Sequence, residues 1–162
     1  MVHKYATPRL NMLIYGCYGL EKKGQMKIHT TNYKNVFFEI AEDCPVNEGK
    51  EPPMNGDKIS VANYQFKMLK NNPYQFTSDD IIFTVFTTRK EIDQNDLEAE
   101  RHKFFSKGQP CFRASPLTKR YGWGVHSNEN GKVAIYGAES SDYMKFIADD
   151  SIKKVKAMKS QR

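Results

Sequence analysis

The chain has 162 residues, a formal net charge of +6 and 39% hydrophobic residues, which fits one folded domain and excludes wholesale disorder. No apolar run reaches the ~20 residues of a membrane-spanning helix, and three cysteines, an odd number, do not favour a disulfide framework. The sequence therefore predicts a soluble, cytoplasmic, single domain.

The excess positive charge lies at the two ends of the chain. Residues 1–25 have a net charge of +3 and residues 151–162 a net charge of +5, which leaves −2 for residues 26–150. A nucleic-acid-binding domain usually carries its basic residues on a folded face. We therefore predict at most a weak, non-specific attraction of nucleic acid through the tails.

Residues 1–25 are predicted to be an N-terminal extension or arm, and residues 26–162 the domain. The stretch 10–20 is apolar and tyrosine-rich, as in a signal peptide, but Asn11 interrupts it and no small-residue cleavage site follows. Amphipathic order begins only after Met26, which is why we place the domain boundary there.

The first half of the domain is predicted to contain a strand, a long connection and a helix. Residues 35–41 are rich in β-forming side chains and end at a loop, whereas residues 45–57 are rich in proline, glycine and asparagine. Ser60 is suited to cap a helix in which Val61 and Tyr64 share one face.

The next segment allows two interpretations. Residues 81–88 form an apolar run of β-branched and aromatic side chains, which predicts a buried strand. The preceding residues 77–80, Thr-Ser-Asp-Asp, have the pattern of a capping box, which predicts a short helix instead. Beyond them, Asp93 or Asn95 begins a helix that ends before Gly108.

A β-hairpin is the clearest local prediction. Segments 121–127 and 132–137 flank an Asn-Gly turn signal at 130–131. Side chains alternate between the faces of a strand, so Trp123 is expected in the core and His126 on the opposite face.

The last elements complete the predicted fold. Ser140 or Ser141 caps a helix, and Ile152, Val155 and Met158 recur at helical spacing among lysines, which predicts a short basic C-terminal helix. Strands and helices that do not alternate strictly predict an α+β fold. We expect a single domain with an antiparallel sheet of about four or five strands backed by helices.

Three segments carry a resemblance to a known family. They are His-Thr-Thr-Asn-Tyr at 29–33, Ala-Glu-Asp-Cys-Pro at 41–45, and Ser-Pro-Leu-Thr-Lys-Arg-Tyr-Gly-Trp-Gly-Val-His at 115–126. Together they resemble an uncharacterised family of small bacterial proteins classed as a domain of unknown function. The resemblance extends over residues 26–162, and it implies no activity, cofactor or catalytic residue.

The segment 113–126 holds side chains suited to an anion. Arg113 offers a planar fork of donors, Lys119 and Arg120 add charge, and Ser115 and His126 add a hydroxyl and an imidazole. These residues predict a binding module for a small ligand that bears a phosphate or carboxylate.

Two alternatives stay open. The domain is an adaptor for another protein with no pocket, or it is an enzyme that uses Cys111, Cys44 or His126, because a nearby imidazolium would lower the pKa of a thiol. The sequence has no Cys-x-x-Cys motif and no zinc-ligand spacing. No metal, cofactor or membrane partner is predicted.

Overall fold

The computed structural model describes residues 27–160, so the predicted N-terminal arm and its boundary at Met26 lie outside the described residues. The strands are β1 (Val36–Glu39), β2 (Trp123–Ser127), β3 (Val133–Gly137) and β4 (Lys153–Lys156). The helices are α1 (Val61–Lys70), α2 (Ser78–Lys90), α3 (Leu97–Phe105), α4 (Pro116–Arg120) and α5 (Ser141–Ala148). Short 3₁₀ turns at Gln94–Asp96 and Phe112–Ala114 precede α3 and α4.

The four strands form one sheet in the order β3-β2-β1-β4. β1 is antiparallel to β2, and β2 is antiparallel to β3, whereas β4 runs parallel to β1. The predicted α+β fold is confirmed, with a sheet that is mostly antiparallel. The parallel pair follows from α5, because the connection from β3 to β4 passes over two intervening strands.

One face of the sheet packs against the early helices. Phe38 and Val125 from the sheet join Ile81 of α2 and Leu117 of α4 in a cluster in which each of these four side chains is at most 2% exposed. Burial of apolar surface on this scale is the main stabilising term in a domain of this size. Trp123 belongs to the same cluster, as its alternation with Val125 predicts.

The other face of the sheet packs against α5. Phe37 of β1, Tyr143 of α5 and Ile152 form a smaller cluster. The Tyr143 hydroxyl also accepts a hydrogen bond from the backbone N–H of Ile40 at 3.1 Å. Tyr136 and Phe146, which line the candidate site described below, pack against this second cluster.

The expectation of a buried strand at 81–88 is wrong, and the capping-box alternative is confirmed. Thr77 caps α2, and its side chain exchanges hydrogen bonds with Asp80 in a full capping box. Ile81 and Val85 of α2 face the sheet, whereas Phe83 packs against the aromatic residues of α3. Because two faces of α2 are covered, residues 81–88 are apolar almost throughout. Their sequence therefore shows no clear 3.6-residue spacing of apolar side chains.

The predicted basic C-terminal helix is also wrong, because residues 153–156 form β4. In the parallel pairing with β1, Val155 lies opposite Phe38. Ile152 packs in the α5-side cluster and Val155 against the cluster on the other face. Residues an odd number of positions apart point to opposite faces of a strand, so the three-residue spacing fits a strand here as well as a helix.

The predictions based on local signals agree with the structure. Ser60 caps α1 with a capping box to Asn63, and Ser140 caps α5. β2 and β3 form the predicted hairpin, with Gly131 in the left-handed region at φ 74°. None of the helices within residues 27–160 is long and apolar enough to cross a membrane.

Candidate functional site

The predicted anion-binding residues are divided among separate places. Arg113 is exposed on the 3₁₀ turn before α4, and its Nε donates to the backbone oxygen of Lys156 at 3.0 Å. Ser115 is buried; it caps α4 and donates from Oγ to Gln65 Oε1 at 2.7 Å. Both side chains are therefore engaged in holding α4 and β4 in place.

The remaining members of that set point elsewhere. Lys119 is half-buried on α4, and Arg120 is exposed where α4 ends, beside Asp43. His126 lies on the face of the sheet covered by α5, whereas α4 packs on the opposite face. The structure thus brings neither all five residues nor the four cationic ones around one cavity.

Trp123 is buried packing, and the glycines on either side of it let other groups approach the backbone closely. The indole Nε1 donates to the backbone oxygen of Lys50 at 2.8 Å, and the ring packs against Phe66. A Cβ added at Gly124 would come within 2.6 Å of the Phe37 ring. The Gly-Trp-Gly sequence is therefore explained by close packing on both faces of β2.

The two cysteines that the structure describes are not arranged for nucleophilic catalysis with histidine. Cys44 and Cys111 are half-buried free thiols, and neither has a histidine as hydrogen-bond partner within residues 27–160. Cys111 lies next to Tyr33, and the proximity of the thiol raises the pKa of the Tyr33 phenol. Among the described residues, no group of three or more potential ligands is placed to hold a metal ion.

His126 is instead joined to two tyrosines in a hydrogen-bonded chain. Its Nδ1 lies 2.7 Å from the Tyr74 hydroxyl, and that hydroxyl lies 2.8 Å from the hydroxyl of Tyr136. Tyr74 comes from the loop between α1 and α2, and Tyr136 comes from β3. We call these three residues the tyrosine–histidine chain.

The imidazole of His126 is almost completely removed from water. Its residue is 8% exposed, and its ring stacks on Phe146 of α5 with centroids 4.3 Å apart. Burial lowers the pKa of His126, and the nearby Asp149 carboxylate opposes that shift. The second ring nitrogen, Nε2, is buried and has no hydrogen-bond partner among residues 27–160.

Tyr74 is held in an uncommon backbone conformation. Its φ of 58° lies in the left-handed region, which a bulky residue rarely adopts. Its backbone N–H donates to the oxygen of Val133 at 2.9 Å, which fixes the loop to the edge of β3. Burial raises the pKa of the Tyr74 phenol, so this hydroxyl stays protonated and can both donate and accept.

The tyrosine–histidine chain ends at a surface cleft between β3 and α5, which we call the α5 cleft. It encloses about 290 Å³ and is lined by Tyr136, Asp142, Lys145, Phe146 and Asp149. The Lys145 ammonium pairs with Asp142 at 2.7 Å. Ser151 donates two hydrogen bonds to Oδ1 of Asp149, which lower the pKa of that carboxyl and keep it charged.

A comparison with protein families identifies the chain at the family level. The family DUF6157, a family of unknown function, matches residues 28–162. The chain belongs to DUF6157. For this DUF6157 member, no curated protein and no solved structure gave a significant match. The predicted resemblance to a family of unknown function is thereby confirmed.

Sequence reasoning identified His126 but missed its partners in this DUF6157 domain. Tyr136 has a signal in the sequence, because the hairpin register places it on the face of Gly124 and His126. Tyr74 has none, since it follows Asn-Pro in a loop and comes to His126 only through the tertiary fold. Asp149 has only a weak signal as a charge beyond the end of α5.

Proposed function

We propose that this domain binds a small molecule in the α5 cleft, with the Tyr136 hydroxyl as the central polar contact. The observation that carries the proposal is the tyrosine–histidine chain behind that hydroxyl. Buried polar groups are nearly always hydrogen-bonded, so a buried nitrogen without a partner among the described residues, such as Nε2 of His126, calls for an explanation. Perturbed titratable groups beside a cleft are a common mark of functional sites.

The tyrosine–histidine chain allows the Tyr136 hydroxyl either to accept a hydrogen bond from a ligand or to donate one to it. When the imidazole carries its proton on Nε2, Nδ1 accepts from Tyr74, Tyr74 accepts from Tyr136, and the Tyr136 oxygen accepts from the ligand. When the proton is on Nδ1, every bond reverses, and Tyr136 donates to the ligand. Both arrangements use the same distances between His126, Tyr74 and Tyr136.

The charges of the α5 cleft favour a ligand that bears an amine. Lys145 is engaged by Asp142, whereas the Asp149 carboxylate makes no salt bridge within residues 27–160. The Lys154 ammonium lies nearby and donates to the backbone oxygen of Asp149 at 2.7 Å. The aromatic rings of Tyr136 and Phe146 also attract a cation through their faces. This ligand class differs from the anion that the 113–126 segment predicts.

Thermal unfolding with matched ligand sets tests the proposal. We would titrate the full chain with ethanolamine, 1,4-diaminobutane and phenethylamine, and with inorganic phosphate and a sugar phosphate. At about ten times its Kd, a ligand adds about 1.4 kcal/mol of stability, or about 3–6 °C in Tm. An amine is expected to raise Tm, and the rise is expected to disappear in Tyr136→Phe and Asp149→Asn.

Two variants serve as controls for this experiment. Tyr64→Phe removes a hydroxyl that has no hydrogen-bond partner in the described part of the chain, and Asp57→Asn removes an exposed carboxylate. Both are expected to keep the response to the amine. Stabilisation by the phosphates alone would contradict the proposal and would favour the anion site around Arg113.

Proton transfer is a second candidate function for the same cleft. The buried imidazole with a lowered pKa favours it, because His126 is neutral near neutral pH and can take a proton passed along the two phenols. For a substrate found through the amine series, turnover is expected to fall at least about 100-fold in Tyr74→Phe, with binding largely kept. Equal turnover in Tyr74→Phe and in the unaltered protein would eliminate this candidate.

A further inference from the structure

A second cleft lies on the far side of the domain, between α3 and the segment that precedes β1. We call it the α3 cleft; it encloses about 270 Å³. Four of its lining residues, Glu98, Arg101, His102 and Phe105, come from α3. Their spacing of three and four residues places them on one face of that helix. Ile28 lines the opposite wall.

Hydrogen bonds fix both walls of the α3 cleft. The backbone N–H of His29 donates to the oxygen of Phe105 at 2.8 Å, which ties the segment to the end of α3. Asp79 at the start of α2 accepts from Thr30 Oγ1 at 2.7 Å and from the N–H of Thr31 at 2.7 Å. The cleft is therefore formed without a ligand, as small-molecule sites usually are.

The Arg101 guanidinium lies in this cleft and keeps N–H donors available for a ligand. Arg101 rests over the rings of Phe83 and Phe105, 5.2 Å from each centroid. Its Nη2 donates to Asp80 at 3.1 Å, while Nε and Nη1 have no hydrogen-bond partner within residues 27–160. A guanidinium flattened on aromatic rings and still able to donate is well suited to a carboxylate.

The opposite charge and an apolar surface are present in the same cleft. Glu98 is exposed and makes no ion pair within the described residues, whereas the Asp79 carboxylate is occupied by its threonine donors. The half-exposed Ile28 side chain supplies apolar surface, whereas the Phe105 ring is buried beneath the Arg101 guanidinium. The cleft thus offers a site for an anion, a site for a cation and a surface for an apolar group.

From these contacts we infer that the α3 cleft binds a free amino acid with an apolar side chain. The ligand carboxylate contacts Arg101, its ammonium contacts Glu98, and its apolar side chain packs on Ile28. This inference goes beyond the proposed function, because it concerns a different cleft and a different ligand class. The two proposals share no residue.

Isothermal titration with L-leucine and two truncated analogues tests the inference on the full chain. L-leucinamide lacks the carboxylate, and N-acetyl-L-leucine lacks the ammonium group. L-leucine is expected to bind saturably, and each analogue to bind up to about fivefold more weakly, since a single exposed ion pair contributes at most about 1 kcal/mol. Leucinamide that binds as tightly as leucine would overturn the contact with Arg101.

Two variants and one control extend the test. Glu98→Gln is expected to weaken leucine binding about fivefold and to make the affinities for leucine and N-acetyl-leucine nearly equal. Glu129→Gln, an exposed carboxylate on the β2–β3 turn, is the matched control and is expected to change nothing. Arg101→Gln is expected to weaken leucine binding about fivefold and to make the affinities for leucine and leucinamide nearly equal. Circular dichroism checks the fold of this variant because Arg101 packs on two rings.

The histidine resonances separate this inference from the proposed function. His29 and His102 line the α3 cleft, whereas His126 lies behind the α5 cleft. Leucine is expected to shift the imidazole signals of His29 and His102 and to leave His126 unchanged. Absence of saturable binding at millimolar leucine, or a shift of His126 alone, overturns the inference.

Discussion

At the residue scale, His126 combines features that packing alone does not require. A phenylalanine in its place would stack equally well on Phe146 and would leave no buried nitrogen without a partner. Burial of an unpaired polar atom costs about 1–3 kcal/mol. Tyr74 adds backbone strain at a φ of 58°. The domain tolerates both, and we attribute this to the hydrogen bonding of Tyr136 at the α5 cleft.

Tyr74→Phe tests how much the central hydroxyl contributes to the chain. The substitution keeps the ring and removes the partner of both His126 and Tyr136. We expect a loss of about 1–3 kcal/mol in the free energy of unfolding, measured by urea denaturation. Tyr64→Phe is the matched control, with an expected change below about 0.5 kcal/mol. Equal stability of the two variants would show that the chain is not formed in solution.

The lowered pKa of His126 predicts a particular dependence of stability on pH. Because burial depresses the pKa, the unfolded chain binds a proton below about pH 6.5 that the folded chain does not. The stabilising contribution is therefore complete above that pH and is lost as pH falls toward the folded pKa. Asp149, which faces the ring from the end of α5, reduces the shift of the His126 pKa. Tyr74, the hydrogen-bond partner of the ring, stays uncharged because burial raises its pKa.

Urea denaturation at two pH values measures this effect. In His126→Asn, the side-chain amide keeps a polar partner for Tyr74 but does not titrate. Between about pH 7.5 and about pH 5.5, the unaltered protein is expected to lose more stability than the variant. Identical losses would mean that His126 titrates in the folded state as it does in the unfolded state.

At the element scale, local signals predicted the elements whose neighbours are close in sequence. Ser60 and Ser140 mark helix starts through their own hydrogen bonds, and Asn130 with Gly131 marks the hairpin turn. The elements at 81–88 and 153–156 were predicted wrongly because tertiary contacts decide them. α2 is covered on two faces, and β4 pairs with a strand more than 110 residues earlier in the chain.

In the candidate site too, local sequence signals predicted only the residues whose positions do not depend on tertiary contacts. The alternation of β2 predicted which face His126 occupies, and the hairpin register extends that reasoning to Tyr136. Tyr74 was beyond reach, because its position depends on how the α1–α2 loop meets the edge of β3. The five anion-binding candidates were adjacent in sequence, but the caps of α4 and the docking of β4 separate them in space.

The capping box of α2 gives an element-scale prediction. Thr77→Ala removes the side chain that accepts from the N–H of Asp80, and this cap orients α2 for both of its apolar faces. We expect a loss of about 1 kcal/mol in unfolding free energy. Thr84→Ala, at an exposed position within the same helix, is the control and is expected to be nearly neutral or slightly stabilising. A larger effect at Thr84 than at Thr77 would contradict this account of the helix start.

At the scale of the whole molecule, two lysines of the basic C-terminal segment pair with acids of the body. Lys156 pairs with Glu39 at 2.7 Å, and Lys159 pairs with Glu42 at the same distance. These pairs hold β4 and the residues after it against β1. They also reduce the positive charge that this end presents to a nucleic acid.

Weak nucleic-acid binding is therefore the expected outcome for the full chain. A fluorescence-anisotropy titration with a duplex DNA is expected to detect binding only at low salt and to lose it at about 150 mM salt. The affinity is expected to be the same for unrelated sequences. Binding that persists at that salt concentration, or that depends on the DNA sequence, would contradict the prediction.

The most direct measurement of the central claim is an imidazole ¹H–¹⁵N spectrum of the full chain during titration with phenethylamine. Occupation of the α5 cleft is expected to shift the His126 ring signals saturably, because the ligand contacts Tyr136 at the end of the tyrosine–histidine chain. The signals of His29 and His102 are expected to stay in place. A response confined to His29 and His102, or no saturable change at His126, would contradict the assignment of the α5 cleft as the binding site.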